Sequence, residues 1–394
     1  MKIYLIAGEE SGDLLGYNLM SGLKKIIPDV EFCGVGGSLM ESQGLKSIFK
    51  MSELSVMGIF EILPNLFKLI KRKNQVIDDI IRLNPDALIT IDSPDFCLRV
   101  AKKIKQKTSI QTIHYVAPTV WAWRKGRALK MAKYIDHVLA LFPFEKPLLL
   151  ESGLSCDFVG HPIVSQQTAK PKEVNDFRNK FNLGKRKIIL ILPGSRITEV
   201  KRLIRIFEKT LDLVNHKFPE FALVIPTTKT VESLVKELTK TWSKKPIILT
   251  NNNYSNEVYN TYKSVAFKEA TVALAASGTV SLELAVNSVP MVIAYDVNFL
   301  SRIILKFLLK INTVTLVNIV AETDAVPEFL GANCQPAVIA GAIIELLNSH
   351  ELRGKQIESH EICMARLLPE GDLTQGSFAA AKVVQHLNYN RKKV

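Results

Sequence analysis

The strongest constraint on the fold of this chain is a repeated junction: a short apolar run, a turn of small or acidic residues, then a stretch of helical periodicity. The clearest copy lies near the middle. Ile188-Ile189-Leu190-Ile191-Leu192 reads as a buried parallel strand, Pro193-Gly194-Ser195-Arg196 as a turn, and residues 199–214 as a helix. Gly194 allows a tight turn and brings backbone N–H groups close to a ligand. Ser195 can cap the helix and donate to a phosphate oxygen, and helix N-termini favour anions. The planar fork of Arg196 matches phosphate. The same five residues are compatible with an ordinary junction carrying a surface Arg, so the neighbouring sequence must decide.

The junction recurs along the chain. In the first half, residues 2–7, 32–37, 87–91, 111–116, 138–142 and 156–159 read as strands, and 14–25, 39–43, 76–83 and 96–107 as helices. In the second half, 188–192, 222–225, 247–249, 273–275 and 291–294 read as strands, with helices such as 231–239 and 280–286 between them. This alternation predicts an α/β protein with parallel sheets covered on both faces. A length of 394 residues is too great for one ordinary domain. Two Rossmann-like, doubly wound domains are therefore expected. The first spans 1–164, and the polar stretch 165–174 reads as the linker into the second, 165–372. In such folds ligands bind outside the carboxyl ends of the strands, so an active site in a cleft between the halves is expected.

Several turns could carry chemistry. Gly8-Glu9-Glu10-Ser11-Gly12-Asp13 follows the first strand and suits a substrate loop. It lacks the Gly-Lys-Ser/Thr ending of a P-loop. Gly34-Val35-Gly36-Gly37 misses the dinucleotide spacing, because Leu39 stands where the last glycine belongs. Asp92-Ser93-Pro94-Asp95 follows a strand directly; Asp92 at the strand tip can serve as general base towards a hydroxyl, while Asp95 is expected to cap the next helix. Trp121 and Trp123, followed by Arg124, Lys125 and Arg127, suit a lipid or sugar site or a core. Ser277-Gly278-Thr279 repeats the phosphate-type turn, and Glu283 lies one helical turn on, where a carboxylate can accept ribose hydroxyls. Each has a plainer reading as turn chemistry, core or solvated surface.

A net charge of +13 and a pI near 9.4 point to anionic partners: nucleic acid, lipid headgroups or phosphorylated substrates. The five cysteines form no C-x-x-C pair, which fits a reducing compartment. No uncharged apolar run has the length of a membrane span, and the start reads as a first strand rather than a signal peptide. Residues 56–73 and 299–310 mix large apolar side chains with Lys and Arg, a pattern that suits an interfacial helix or a core-packed one. The scattered histidines give no metal site, and no cofactor is expected.

Taken in order, the motifs resemble a known family. Ala7-Gly8-Glu9 with Ser11-Gly12-Asp13, Gly34-Val35-Gly36-Gly37, Val56-Met57-Gly58, Asp92-Ser93-Pro94-Asp95-Phe96, His114-Tyr115-Val116 through Trp121-Ala122-Trp123, Phe142-Pro143-Phe144-Glu145, Gly160-His161-Pro162, Leu192-Pro193-Gly194-Ser195-Arg196 with Glu199, and Ala276-Ser277-Gly278-Thr279 with Glu283 are similar to the lipid-A-disaccharide synthases, inverting glycosyltransferases of the two-Rossmann-domain (GT-B) type. The resemblance runs almost end to end. It implies transfer from UDP-2,3-diacylglucosamine to 2,3-diacylglucosamine 1-phosphate (lipid X), giving the β-1,6-linked lipid A disaccharide 1-phosphate and UDP. It implies Asp92 as base, Arg196 with Gly194 and Ser195 on the diphosphate, and Ser277, Gly278, Thr279, Glu283 and Asn318 on UDP. Glu9, Ser11, Asp13, Trp121 and Trp123 fall to the acceptor side.

The first domain then takes the acceptor and membrane side, the second the UDP-sugar, and a C-terminal helix in 373–394 crosses back to the first. The expected location is the cytoplasmic face of the inner membrane of a Gram-negative bacterium, held peripherally by anionic lipid, with no nucleic-acid partner; an oligomer is left open. Departures from the family pattern are Cys97 where Asn is usual, Asp296 where a basic residue usually follows Tyr295, and Val317 in place of a proline before Asn318. A UDP-sugar epimerase of the same architecture, or a binding module without turnover, is the alternative.

Overall fold

The computed structural model describes residues 1–54, 59–118, 125–296 and 313–391. Thirteen strands lie among them in two sheets, and the chain divides into two units, Met1–Pro162 with Leu367–Val394, and Ile163–Arg366.

The first unit is built on seven strands: β1 (Lys2–Ala7), β2 (Glu31–Val35), β3 (Lys46–Ser47), β4 (Ala87–Ile91), β5 (Gln111–Tyr115), β6 (His137–Ala140) and β7 (Ser155–Phe158). Their order is β3-β2-β1-β4-β5-β6-β7, every pair parallel. Alternation along each strand sends side chains to two cores. Tyr4, Ile6, Leu88 and Val138 pack against Val76 and Ile80 of helix Ile59–Leu83 and Val100 and Ile104 of helix Pro94–Lys107. Ile3, Leu5, Ile89 and Tyr115 face Leu15, Leu19 and Leu23 of helix Glu10–Ile26 and Ala380, Val383 and Leu387 of the last helix, Gln375–Arg391. Those two helices approach closely through small residues. A methyl group added to Gly22 would stand 2.7 Å from the carbonyl of Gly376 and 2.9 Å from the methyl of Ala380.

The second unit carries β8 (Lys187–Leu192), β9 (Phe221–Pro226), β10 (Ile247–Leu249), β11 (Ala270–Ala276), β12 (Met291–Tyr295) and β13 (Glu328–Leu330) in the order β10-β9-β8-β11-β12-β13, again parallel throughout. Ile189, Ile191, Leu223 and Leu274 bury one face under Leu203 and Phe207 of helix Ile197–Lys217 and Ile339 and Ile343 of helix Pro336–Asn348.

The structure corrects several expectations. The first helix begins at Glu10 rather than residue 14, so Ser11 and Asp13 sit in its first turn. The helix expected over 76–83 extends back to Ile59. The expected linker is shorter, because Pro171 opens helix Pro171–Lys180; proline at the first helical position carries no N–H that the helix needs. Asp95 does not cap its helix: Ser93 holds that position, Pro94 follows, and Asp95 lies inside the first turn. Strands β3 and β13 were not anticipated. Trp121, Trp123 and residues 299–310 lie outside the described residues, as do 55–58 at the start of the other amphipathic stretch.

Candidate active-site elements

In both sheets the strand order reverses beside the first strand of the unit, between β1 and β4 in one and β8 and β11 in the other. The crevice outside the strand ends at such a point is where open α/β sheets bind ligands. The turns singled out by sequence leave these four strands: Gly8-Glu9 after β1, Asp92-Ser93 after β4, Pro193-Gly194 after β8, and Ser277-Gly278 after β11.

In the first unit Ala7 pairs with Ile91 and Ile91 with Tyr115, so the three tips end level. Asp92 and Ser93 have φ of +51° and +42°, and Val116, just past β5, has +75°. Left-handed backbone at non-glycine residues costs free energy and persists only where the surroundings impose it. Here the Asp92 N–H donates to the Tyr115 carbonyl at 2.9 Å and the Val116 N–H to the Leu139 carbonyl at 3.0 Å. A Cβ on Gly8 would fall 2.2 Å from Ser93 Oγ, so only glycine lets the β1 loop lie on the Asp92 turn.

Burial pushes the Asp92 carboxyl above the usual aspartate range, opposed in part by the Ser93 N–H that it accepts. On the neighbouring strand β5, fully buried His114 is hydrogen-bonded through Nδ1 to Thr90 Oγ1 at 2.7 Å. Burial, with the nearby Arg127 charge, drives its pKa down to about 3. The imidazole is therefore neutral near pH 7. Glu9 takes the N-cap position of helix Glu10–Ile26, and Ser11 is exposed in the first turn. Asp13 differs. Its Oδ1 accepts from the N–H groups of Gly37 (2.9 Å) and Met40 (3.1 Å), and its Oδ2 from Leu39 (3.0 Å). It is buried and ties the glycine turn to the first helix.

In the second unit a cavity of about 440 Å³ lies between the β8 and β11 turns. Gly194, at φ +108°, makes the turn, and a Cβ there would meet Glu199 Oε2 at 2.6 Å. Ser195 was expected to cap the following helix; Arg196 holds that position instead. Glu199 accepts the Arg196 N–H at 3.4 Å and its guanidinium Nη1 at 3.0 Å. This pairing aims a side chain that is 66% exposed along the cavity wall. Opposite stand Ser277, Gly278 and Thr279, then Glu283.

The cavity also holds residues that the sequence did not single out. Tyr259, Lys263 and Phe267 come from one face of helix Asn256–Glu269, each four residues from the next. Lys263 Nζ lies 2.6 Å from Glu283 Oε2. Thr227 Oγ1 is buried in the wall and has no hydrogen-bond partner among the described residues. Asn318, expected on the nucleotide, has another task. It is buried, its Nδ2 donates to the Val326 carbonyl (2.9 Å) and Glu328 Oε1 (3.3 Å), and its Oδ1 accepts from the Val326 N–H (3.1 Å). It anchors the approach to β13 and does not line the cavity.

Fold and turns together define a protein of two Rossmann-like domains with a phosphate-type turn at a sheet's switch point, the GT-B architecture of nucleotide-sugar glycosyltransferases and epimerases. Solved structures agree in fold. S. aureus MnaA in a co-structure with UDP matches at TM-score 0.64 and 16% identity, covering 100% of this chain and 97% of that one. Acinetobacter baumannii MurG matches at TM-score 0.53 and 15% identity, covering 98% and 99%. Such identities speak for the fold alone.

Sequence comparison goes further. The family model described as lipid-A-disaccharide synthetase matches residues 3–381. A lipid-A-disaccharide synthase of Ruegeria pomeroyi is 45% identical over 387 residues, covering 98% of this chain and 96% of the relative. That of Rhodospirillum centenum is 42% identical over 397 residues, covering 100% and 96%. The chain belongs to the lipid-A-disaccharide synthase family, glycosyltransferases of lipid A biosynthesis.

Proposed function

We propose that the protein joins UDP-2,3-diacylglucosamine to the 6-hydroxyl of 2,3-diacylglucosamine 1-phosphate with inversion at the donor carbon. Asp92 takes the hydroxyl proton. The freed oxygen attacks C1 of the donor sugar opposite the leaving group, the C1–O bond to the diphosphate breaks, and UDP departs. One displacement suffices, so no glycosyl-enzyme forms. Arg196 and the amides around Gly194 and Ser195 take up the charge growing on the diphosphate, a kind of help whose removal typically costs about 100- to 1000-fold in rate. Ser277, Gly278 and Thr279 hold the phosphate or ribose end and Glu283 the ribose hydroxyls. The first unit serves the acceptor, with Glu9 and Ser11 at the start of its first helix and Asp13 as a positioning residue; the second serves UDP.

The observation that carries this reading is Asp92. It stands at the switch point of the first sheet, in a turn held in left-handed backbone, with a carboxyl that burial raises towards the range useful to a general base. Both substrates carry acyl chains, and a peripheral site at the cytoplasmic face of the inner membrane suits a protein of charge +13 with Phe67 86% exposed beside Lys68 and Lys71. Among the described residues no helix is long and apolar enough to cross a membrane.

The test is to incubate purified protein with both substrates in detergent and look by mass spectrometry for the disaccharide 1-phosphate and UDP. Asp92→Asn is expected to lose about 100-fold or more in kcat while binding UDP within about threefold of the parent. Equal loss of both would remove Asp92 as the base. Absence of product from folded, UDP-binding protein would turn attention to epimerisation of soluble UDP-sugars.

A further inference from the structure

The cavity of the second unit contains a cation that the transfer mechanism above does not use. Lys263 Nζ sits 2.6 Å from Glu283 Oε2. It also lies 5.4 Å from the centre of the Phe267 ring, one turn further along its own helix, within reach of a cation–π contact. One turn earlier, Tyr259 donates its hydroxyl to the Thr227 carbonyl at 3.2 Å, which fixes this helix to the end of β9. Lys263 and Glu283 are both partly buried, with side chains 34% and 26% exposed. The ammonium is thus held from two sides on a helix that is itself anchored, with its contact to the carboxylate at Oε2.

A carboxylate meant to accept two vicinal hydroxyls must present a defined edge. An unpaired glutamate on a seven-residue helix, Val280–Val286, would sample several rotamers. Closing the cavity over a nucleotide would also strip water from an unpaired charge. A cationic partner on the carboxylate answers both problems: it restricts the rotamers and keeps the charge paired.

We infer that Lys263 is the positioning residue for Glu283, and that the pair makes this cavity select a ribonucleoside diphosphate over its 2′-deoxy counterpart. The inference rests on the reading of the cavity as the UDP site. It assigns Lys263 no contact with the phosphates, although a lysine in such a cavity could make one, and the experiment separates the two roles.

Dissociation constants for UDP and 2′-deoxy-UDP are measured by titration calorimetry on the full chain, with circular dichroism as the check on folding. The parent is expected to prefer UDP by about 10- to 100-fold, the worth of a hydrogen bond to a charged acceptor. Lys263→Met should reduce that preference to under about threefold while changing 2′-deoxy-UDP binding by less than about threefold, and Lys263→Arg should restore most of it. Glu283→Gln should abolish the same preference, and the double variant should lose no more than either single one, the mark of two residues acting as a unit. Equal weakening of both ligands by Lys263→Met would assign the ammonium to phosphate and overturn the positioning role. An unchanged preference would make the ion pair idle. A parent that binds neither ligand would overturn the UDP reading itself, a different failure from the other two.

Discussion

At the scale of single residues, the proposed chemistry depends on where the chain tolerates unfavourable backbone. Asp92 and Ser93 are consecutive left-handed residues, and the strand ladder on one side and Gly8 on the other hold them there. The raised Asp92 pKa makes a kinetic prediction. A base must be ionised, so kcat/KM should fall tenfold per pH unit on the acid side, beginning above the ordinary aspartate value of 3.8. A pH–rate profile checks this, and an acid limb at or below that value would argue against burial as the tuning force.

Asp92 stands out in the sequence because it directly follows the strand-like run Ala87-Leu88-Ile89-Thr90-Ile91. Lys263 does not, because its meaning lies in a pairing across 20 residues that no local pattern marks. Asn318 shows a different limit of motif reading. A side chain that fits a motif can be fully used by the backbone beside it, here that of Val326.

At the scale of elements, strands read well and helix ends badly. Apolar runs flanked by turns leave little choice, which is why most of the parallel strands were found; β3, only Lys46-Ser47, and β13, only Glu328-Phe329-Leu330 and half-buried, lack the apolar run. Glu10-Ser11-Gly12-Asp13 looks like loop because serine, glycine and aspartate favour turns. Asp13 is held in the helix by three N–H groups from another element.

The last helix offers a pH test. His386 on that helix stacks on His137 of β6 with ring centres 4.6 Å apart, and Lys382 reaches Asp157 at 3.7 Å. Burial, then the His137 charge, pushes His386 down to about 4, against the pull of Asp136 and Asp157 and with Lys105 adding to the push. His137 and the lysines hold Asp157 at about 2. A histidine kept neutral by folding takes up protons more readily when unfolded. Its contribution to stability is therefore whole above pH 6.5 and lost as pH falls towards 4; that of Asp157 follows between 3.8 and 2. Thermal unfolding should drop by several degrees from pH 7 to pH 5, and His386→Gln should flatten that slope. A slope unchanged in the variant would place the acid sensitivity elsewhere.

At the scale of the whole molecule, charge and apolar exposure act together. On the peripheral reading proposed above, the excess of 51 Lys and Arg over 38 Asp and Glu supplies a field attractive to anionic surfaces, while Phe67 and Ile70 offer exposed apolar side chains. Co-sedimentation with vesicles should need anionic lipid and weaken as salt rises from about 0.05 to about 0.5 M, where the Debye length shrinks to a few ångströms. Replacing Phe67 and Ile70 by Ser should lower it severalfold without altering UDP binding. Equal binding to neutral vesicles would remove charge from the account.

The close seam of Gly22 against Gly376 bears on how the molecule comes into being. The second unit is one continuous span, Ile163–Arg366, whereas the first is assembled from both ends of the chain. A ribosome therefore delivers the sheet of the first unit early and the helix that covers Leu15, Leu19 and Leu23 only after more than two hundred intervening residues have emerged. Throughout that interval the nascent protein shows an apolar strip with no cover, the kind of surface that chaperones hold and that aggregates when they fail. The unit begun first is finished last, and a translation stop anywhere in the second unit leaves the first one unclosed.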